Sequence, residues 1–241
     1  MAMIAYHVLF DLDMLDLVEL KLDAVPLELM ADVTAATFFA VVGISLNISY
    51  FRSKRADELS SSLARKYLLR GAKLLVMGGF VTGITYFLYP EFVVLFGALQ
   101  FIAVSIVLGY ILLELTDRWR RIARLSLLVI IPGIFIFLAP YIRGIRLNFP
   151  YLIWLGVIPP GFQSLDYFPL FPWFGYVVAG LLVGDLIYPS GKRRWEGELI
   201  RNSPVGFIGR HSLIIYFLHQ PFIYAGIVVF NILSGAGPVL F

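Results

Sequence analysis

The chain contains no cysteine. That single absence excludes disulfides, thiolate metal sites, cysteine nucleophiles and iron–sulfur clusters. Charge is scarce as well, at 15% of residues, against about 25% in an average soluble domain. So few charges argue against a disordered tail or a nucleic-acid module, and the net charge of +3 has to be explained by where the charges lie. Histidine occurs three times, with no H-E-x-x-H around it, so no metal is expected. The phosphate loop G-x-x-x-x-G-K-[ST], a G-x-G-x-x-G following a strand and the G-x-S-x-G nucleophile elbow are all missing.

What is present is apolar: 60% of the 241 residues are hydrophobic and 16% aromatic. A helix needs about 17–25 apolar residues to cross a bilayer. Six runs meet that length: Asp32–Phe51, Gly71–Tyr89, Phe92–Leu113, Leu125–Ile142, Phe171–Tyr188 and Val205–Phe230. Met1–Phe10 is apolar too, but ten residues of helix rise only about 15 Å. It lacks the charged start and small-residue cleavage site of a signal peptide, and is expected to be the second half of a truncated first span. The fold class is therefore an all-α, polytopic transmembrane bundle of about seven spans, one domain over residues 1–241.

The basic residues give the bundle a direction. Arg52, Lys54, Arg55, Arg65, Lys66, Arg70 and Lys73 flank one connection, and Arg118, Arg120, Arg121 and Arg124 lie in another. Lys192, Arg193, Arg194, Arg201 and Arg210 belong to a third. If seven spans alternate, all of these share one face, which the positive-inside rule makes cytoplasmic. The opposite face keeps Lys21, Arg143 and Arg146, with the acidic run from Asp11 to Asp32. The N-terminus is then cytoplasmic and the C-terminus outside. Phe149–Phe162, bounded by Pro150 and Pro159-Pro160, is too short to cross and is expected as a re-entrant or interfacial segment, or a hydrophobic loop among headgroups.

Ionisable groups inside a membrane are costly and are the default site candidates. His7 and Asp11 are four residues apart, on one helical face, where a carboxylate can orient an imidazole as a general base; a structural pair is the alternative. Ser212, Tyr216 and His219 form a polar stripe in the last span, with Pro221 expected to kink it. Asn47 and Gln100 are buried amides, for which helix packing is the competing role. Asp185 is read as a boundary residue that reaches water, and His211 as interfacial.

Several segments, in order, resemble one family. They are Met3-Ile-Ala-Tyr-His7-Val-Leu-Phe-Asp11-Leu, Phe38-Phe-Ala-Val-Val-Gly43-Ile-Ser45-Leu and Arg70-Gly71-Ala-Lys73-Leu-Leu. Phe96-Gly97-Ala-Leu-Gln100-Phe101-Ile, Phe168-Pro-Leu-Phe-Pro172-Trp173-Phe-Gly175 and Gly209-Arg210-His211-Ser212-Leu-Ile-Ile-Tyr216-Phe-Leu-His219-Gln220-Pro221 follow. Together they resemble the catalytic domain of heparan-α-glucosaminide N-acetyltransferase and its prokaryotic relatives, themselves related to wider membrane acyltransferases. The chain departs from the family in lacking an Arg-Gly stretch before Met1, and His7 falls where the lysosomal enzyme carries an asparagine.

The resemblance implies an integral membrane enzyme, expected in a prokaryotic cell membrane, that moves an acyl group, acetyl in the first instance, from acetyl-CoA to an amine or hydroxyl of a sugar or glycolipid acceptor. Arg70, Lys73 and Arg210 would hold CoA phosphates, with the pantetheine arm passing Ser212 and His219. His7, oriented by Asp11, would be the base, His219 would position the thioester, and Gln100 or Asn47 would stabilise the oxyanion. Acyl-CoA, acceptor and membrane lipid are the expected partners, with no nucleic acid and a homo-oligomer left open. A transporter or lipid-flipping protein without chemistry is the alternative reading of the same buried polar residues.

Overall fold

The computed structural model describes residues 2–14, 25–56, 59–189 and 203–233. These form eight α-helices: α1 (Ala2–Met14), α2 (Val25–Arg55), α3 (Ser60–Leu88), α4 (Ala98–Thr116), α5 (Arg121–Gly144), α6 (Leu170–Ile187), α7 (Pro204–Arg210) and α8 (Ser212–Leu233), with a 3-10 turn at Pro150–Leu155. No extended sheet occurs among the described residues; the one strand-like feature is an isolated bridge between Phe96 and Tyr167. Among the described residues, six helices are long and apolar enough to cross a membrane: Leu27–Arg55, Ser60–Leu88, Ala98–Thr116, Arg121–Gly144, Leu170–Ile187 and Ile214–Leu233. In lipid a backbone must satisfy its own hydrogen bonds, and a helix does so within one segment. The protein is a helical, polytopic membrane protein. Its chain groups into two compact units, Met1–Ala35 with Trp195–Phe241, and Ala36–Arg194.

In the second unit the neighbours of small residues set the helix directions. Gly71 of α3 lies against Ala103 and Val107 of α4 while Gly78 lies against Gln100, so α3 and α4 are antiparallel. On α6, Gly175 meets Pro132 and Phe135 of α5, and Asp185 meets Arg124, so this pair is antiparallel too. Helix α2 runs parallel to α4, through Phe39–Phe101, Leu46–Gly109 and Tyr50–Glu114. It also runs parallel to α6, through Phe39–Trp173 and Asn47–Gly184, and between these the backbones touch: a Cβ on Gly43 would strike the Val177 carbonyl and one on Gly180 the Ala40 carbonyl. Small residues at such crossings let backbones touch, which is how membrane helices gain dispersion without a hydrophobic drive between them. Apolar side chains on the outward faces, such as Val76, Phe80 and Phe87 of α3 and Ile130, Phe137 and Tyr141 of α5, stay exposed for lipid.

These directions bring the charged ends of α2 to α6 together. Lys54 pairs with Glu114 at 3.0 Å and Asp117 at 3.5 Å. Glu114 also accepts from Tyr50 at 2.9 Å and Ser60 at 3.0 Å. Asp185, expected at a boundary with water, is instead fully buried and bonded by Arg124 at 3.0 Å. The carboxylate is taken up by α5 because Arg124, itself laid over the Phe51 ring at 4.9 Å, is buried beside it.

Several boundaries differ from the expected ones. Helix α3 begins at Ser60 rather than Gly71. Helix α4 begins at Ala98 rather than Phe92, because residues 92–97 are non-helical and bond to residues 164–168, through Leu165 N–H to Phe92 O at 3.2 Å and Phe168 N–H to Phe96 O at 2.9 Å. The apolar segment after α5 forms the 3-10 turn, closed by Gly156 at φ +118°, a conformation that favours glycine. Ile153 and Val157 anchor it, and the Ile153 carbonyl accepts from Tyr167 at 2.8 Å. The expected span Val205–Phe230 is two helices. Ser203 caps the short α7 by accepting from Gly206 N–H at 3.1 Å. His211 then leaves helical geometry at φ −102°, ψ 10°. Helix α8 continues through Pro221 to Leu233.

Candidate functional site

In the first unit α1 and α8 meet, and that contact brings three of the expected catalytic residues together. The His7 and His219 rings lie 4.9 Å apart, edge to face at 60°. One turn along α1, Asp11 is fully buried and its Oδ1 accepts from Gln220 Nε2 at 2.7 Å. His219 Nδ1 lies 2.6 Å from the Tyr216 carbonyl. A carbonyl only accepts, so Nδ1 carries the proton and Nε2 is left with the lone pair. Four buried atoms here have no partner: His7 Nδ1, His219 Nε2, Asp11 Oδ2 and Gln220 Oε1. Buried polar atoms are normally satisfied, so four unpartnered atoms on neighbouring side chains make this cluster the candidate site.

The pairing inside this cluster is not the one that spacing suggests. Asp11 was expected to orient His7, but its bonded oxygen goes to Gln220 of α8, and the imidazole held by a hydrogen bond is His219. A shared helical face brings two residues near each other; which one takes the carboxylate depends on the helix packed opposite. Gln220 follows His219 directly in the chain and carries no spacing signal of its own.

The two amides expected near the reaction lie in the second unit. Both polar atoms of Gln100 are bonded: its Oε1 accepts from Gly97 N–H at 3.0 Å and its Nε2 donates to Thr82 at 2.8 Å. Gly97 has no side chain to cap α4, and Gln100 reaches back from the first turn in its place. The next free donor, Ala98 N–H, goes to Asp166 Oδ2 at 2.8 Å, and a Cβ on Gly97 would collide with that carboxylate. Burial pushes the Asp166 carboxyl up to about 6, with the Ala98 bond acting in the opposite sense. Asn47 is fully buried against Gly184, and neither amide atom has a partner.

Of the residues expected to hold phosphate, one lines a groove. Arg70 lines a groove of about 530 Å³ between α2 and α3, with Ser45, Ser49, Ser53, Arg52 and Lys66; Ile48 and Ala56 complete its described wall. Lys73 is exposed and lies outside that lining. The side chains of Arg210 and Ser212 lie outside the described residues. The serines, four residues apart along α2, were legible as a helical stripe, but only the placement of α3 shows that they face cations. Among the described residues no three His, Asp or Glu side chains converge to hold a metal ion.

Residues 1–221 match the family model described as heparan-alpha-glucosaminide N-acetyltransferase, catalytic. No curated protein and no solved structure matches the chain.

Proposed function

The chain belongs to the heparan-α-glucosaminide N-acetyltransferase catalytic family, and on that premise we propose that this membrane transferase moves an acetyl group from acetyl-CoA to an amine or hydroxyl of a sugar-like acceptor. The observation that supports this is the set of orphaned atoms between α1 and α8. The Asp11 and Gln220 oxygens and His219 Nε2 are all acceptors, so the ligand they suit carries N–H or O–H groups, as an amino sugar does.

The hydrogen bonds support one set of roles. His219, with its tautomer set by the Tyr216 carbonyl, takes the acceptor's proton on Nε2 as the acceptor nitrogen or oxygen attacks the thioester carbonyl. His7, edge-on at 4.9 Å, offers its ring N–H to the developing oxyanion. When the C–S bond breaks, the proton held on His219 passes to the leaving thiolate, giving free CoA thiol and the acetylated acceptor. Asp11, fixed by Gln220, hydrogen-bonds the acceptor and sets its approach.

The absence of cysteine makes the test direct, because a thiol reagent reads CoA alone. Purified protein in nanodiscs receives acetyl-CoA and a panel of amino sugars, amines and polyols. Thiol release that depends on one class of acceptor, with acetyl recovered on it, is the expected result. CoA binding without acceptor-dependent thiol release, or movement of an acceptor across the bilayer unchanged, contradicts it.

A further inference from the structure

The α2–α3 groove holds more cationic and hydroxyl groups than its own contacts use. Ser45, Ser49 and Ser53 repeat every four residues on α2 and line it together, a ladder about 12 Å long at the helical rise of 1.5 Å per residue. Ser49 Oγ accepts from Tyr67 at 3.1 Å and from Arg70 at 3.3 Å. Ser53 Oγ accepts from Lys66 at 2.5 Å. Each of these two oxygens thus receives donors, and neither donates to any described residue, so the hydroxyl hydrogens remain for another acceptor. Arg52 adds an exposed guanidinium with no carboxylate partner among the described residues, and Arg70 lies over the Tyr67 ring at 5.5 Å.

We propose that this groove is a binding site for a phosphate ester carrying two or more negative charges. Guanidinium forks match phosphate oxygens in pairs, serine hydroxyls add donors along the ladder, and the described lining contains no carboxylate to repel an anion. Two sources share that chemistry: the nucleotide end of a CoA thioester, and the phosphate headgroup of an anionic lipid. The nucleotide source rests on the donor proposed above; the lipid source does not.

Binding to protein in phosphatidylcholine nanodiscs distinguishes them. CoA and inorganic pyrophosphate are titrated into the wild type and into Arg52→Gln, Arg70→Gln and the charge-retaining Arg52→Lys. A separate set of nanodiscs contains phosphatidic acid. Each glutamine variant is expected to weaken its phosphate ligand tenfold or more, Arg52→Lys much less, and added salt should narrow the difference. Arginine-dependent binding of CoA and pyrophosphate that phosphatidic acid does not displace assigns the nucleotide source. Arginine-dependent enrichment of phosphatidic acid without CoA binding assigns the lipid. Unchanged affinity for all three ligands in both glutamine variants overturns the proposal, and if acetyl transfer persists in those variants the function proposed above stands without it. Groove binding without any acetyl transfer overturns only the function.

Discussion

His219 and His7 differ in what fixes their protons. The Tyr216 carbonyl holds hydrogen on His219 Nδ1, so its free nitrogen is already in the form a base needs, whereas His7 Nδ1 has no partner. Sequence spacing favours His7, because a carboxylate four residues away is visible in one dimension and a backbone carbonyl one turn back is not. Asp166 was not visible as a functional residue at all, since it caps a helix more than sixty residues earlier in the chain. Its carboxyl, raised to about 6, binds a proton more readily in the folded chain than in the unfolded one. Its contribution to stability is therefore fully present below about pH 4 and is lost as the pH rises through about 6. Asp166→Asn keeps an oxygen for Ala98 N–H and removes that ionisation. Thermal unfolding across pH 4–7 should show the wild type losing about 1–2 kcal/mol relative to the variant; parallel curves would contradict the argument.

Helix α2 is held to α6 by backbone contact at Gly43 and Gly180 and to α4 by larger side chains such as Phe39 and Leu46. Gly43→Leu pushes a side chain into the Val177 carbonyl, an obstacle that cannot rotate away, so it should cost at least about 3 kcal/mol. Loss of folded protein in detergent measures this, with Gly79→Leu as the control, since nothing lies within 4 Å of a Cβ there. Arg124→Ala leaves Asp185 buried without its closest cation and should cost about 3–5 kcal/mol. Arg124→Ala with Asp185→Ala removes the stranded charge and should recover part of that loss, read as a thermal midpoint. The existence of six long helices was legible in the sequence, because hydrophobic length is a local property. Their ends were not: α4 starts six residues later than its apolar run because Phe92–Gly97 bonds to residues 164–168, a partner that a local reading does not contain. The break at His211 has the same character, since uninterrupted hydrophobicity conceals a change in backbone angle.

Among α2 to α6 the alternation of direction gathers Arg52, Lys54, Lys66, Arg121 and Arg124 at one end, the pattern that charge counting assigns to the cytoplasm. With no native cysteine, single-cysteine labelling has no background. Arg118→Cys should react only from the cytoplasmic side and Tyr151→Cys only from the opposite side; labelling of both from one side would contradict the topology. The family and the membrane fold follow from the whole chain, while the proposed chemistry rests on the few atoms between α1 and α8. Single-turnover acetyl transfer tests that claim most directly, with acceptor in excess and His219→Ala and His7→Ala beside the wild type. His219→Ala is expected to slow the step about a hundredfold to ten-thousandfold with CoA affinity nearly unchanged, and His7→Ala to give a smaller loss. Near-normal turnover in His219→Ala would contradict it.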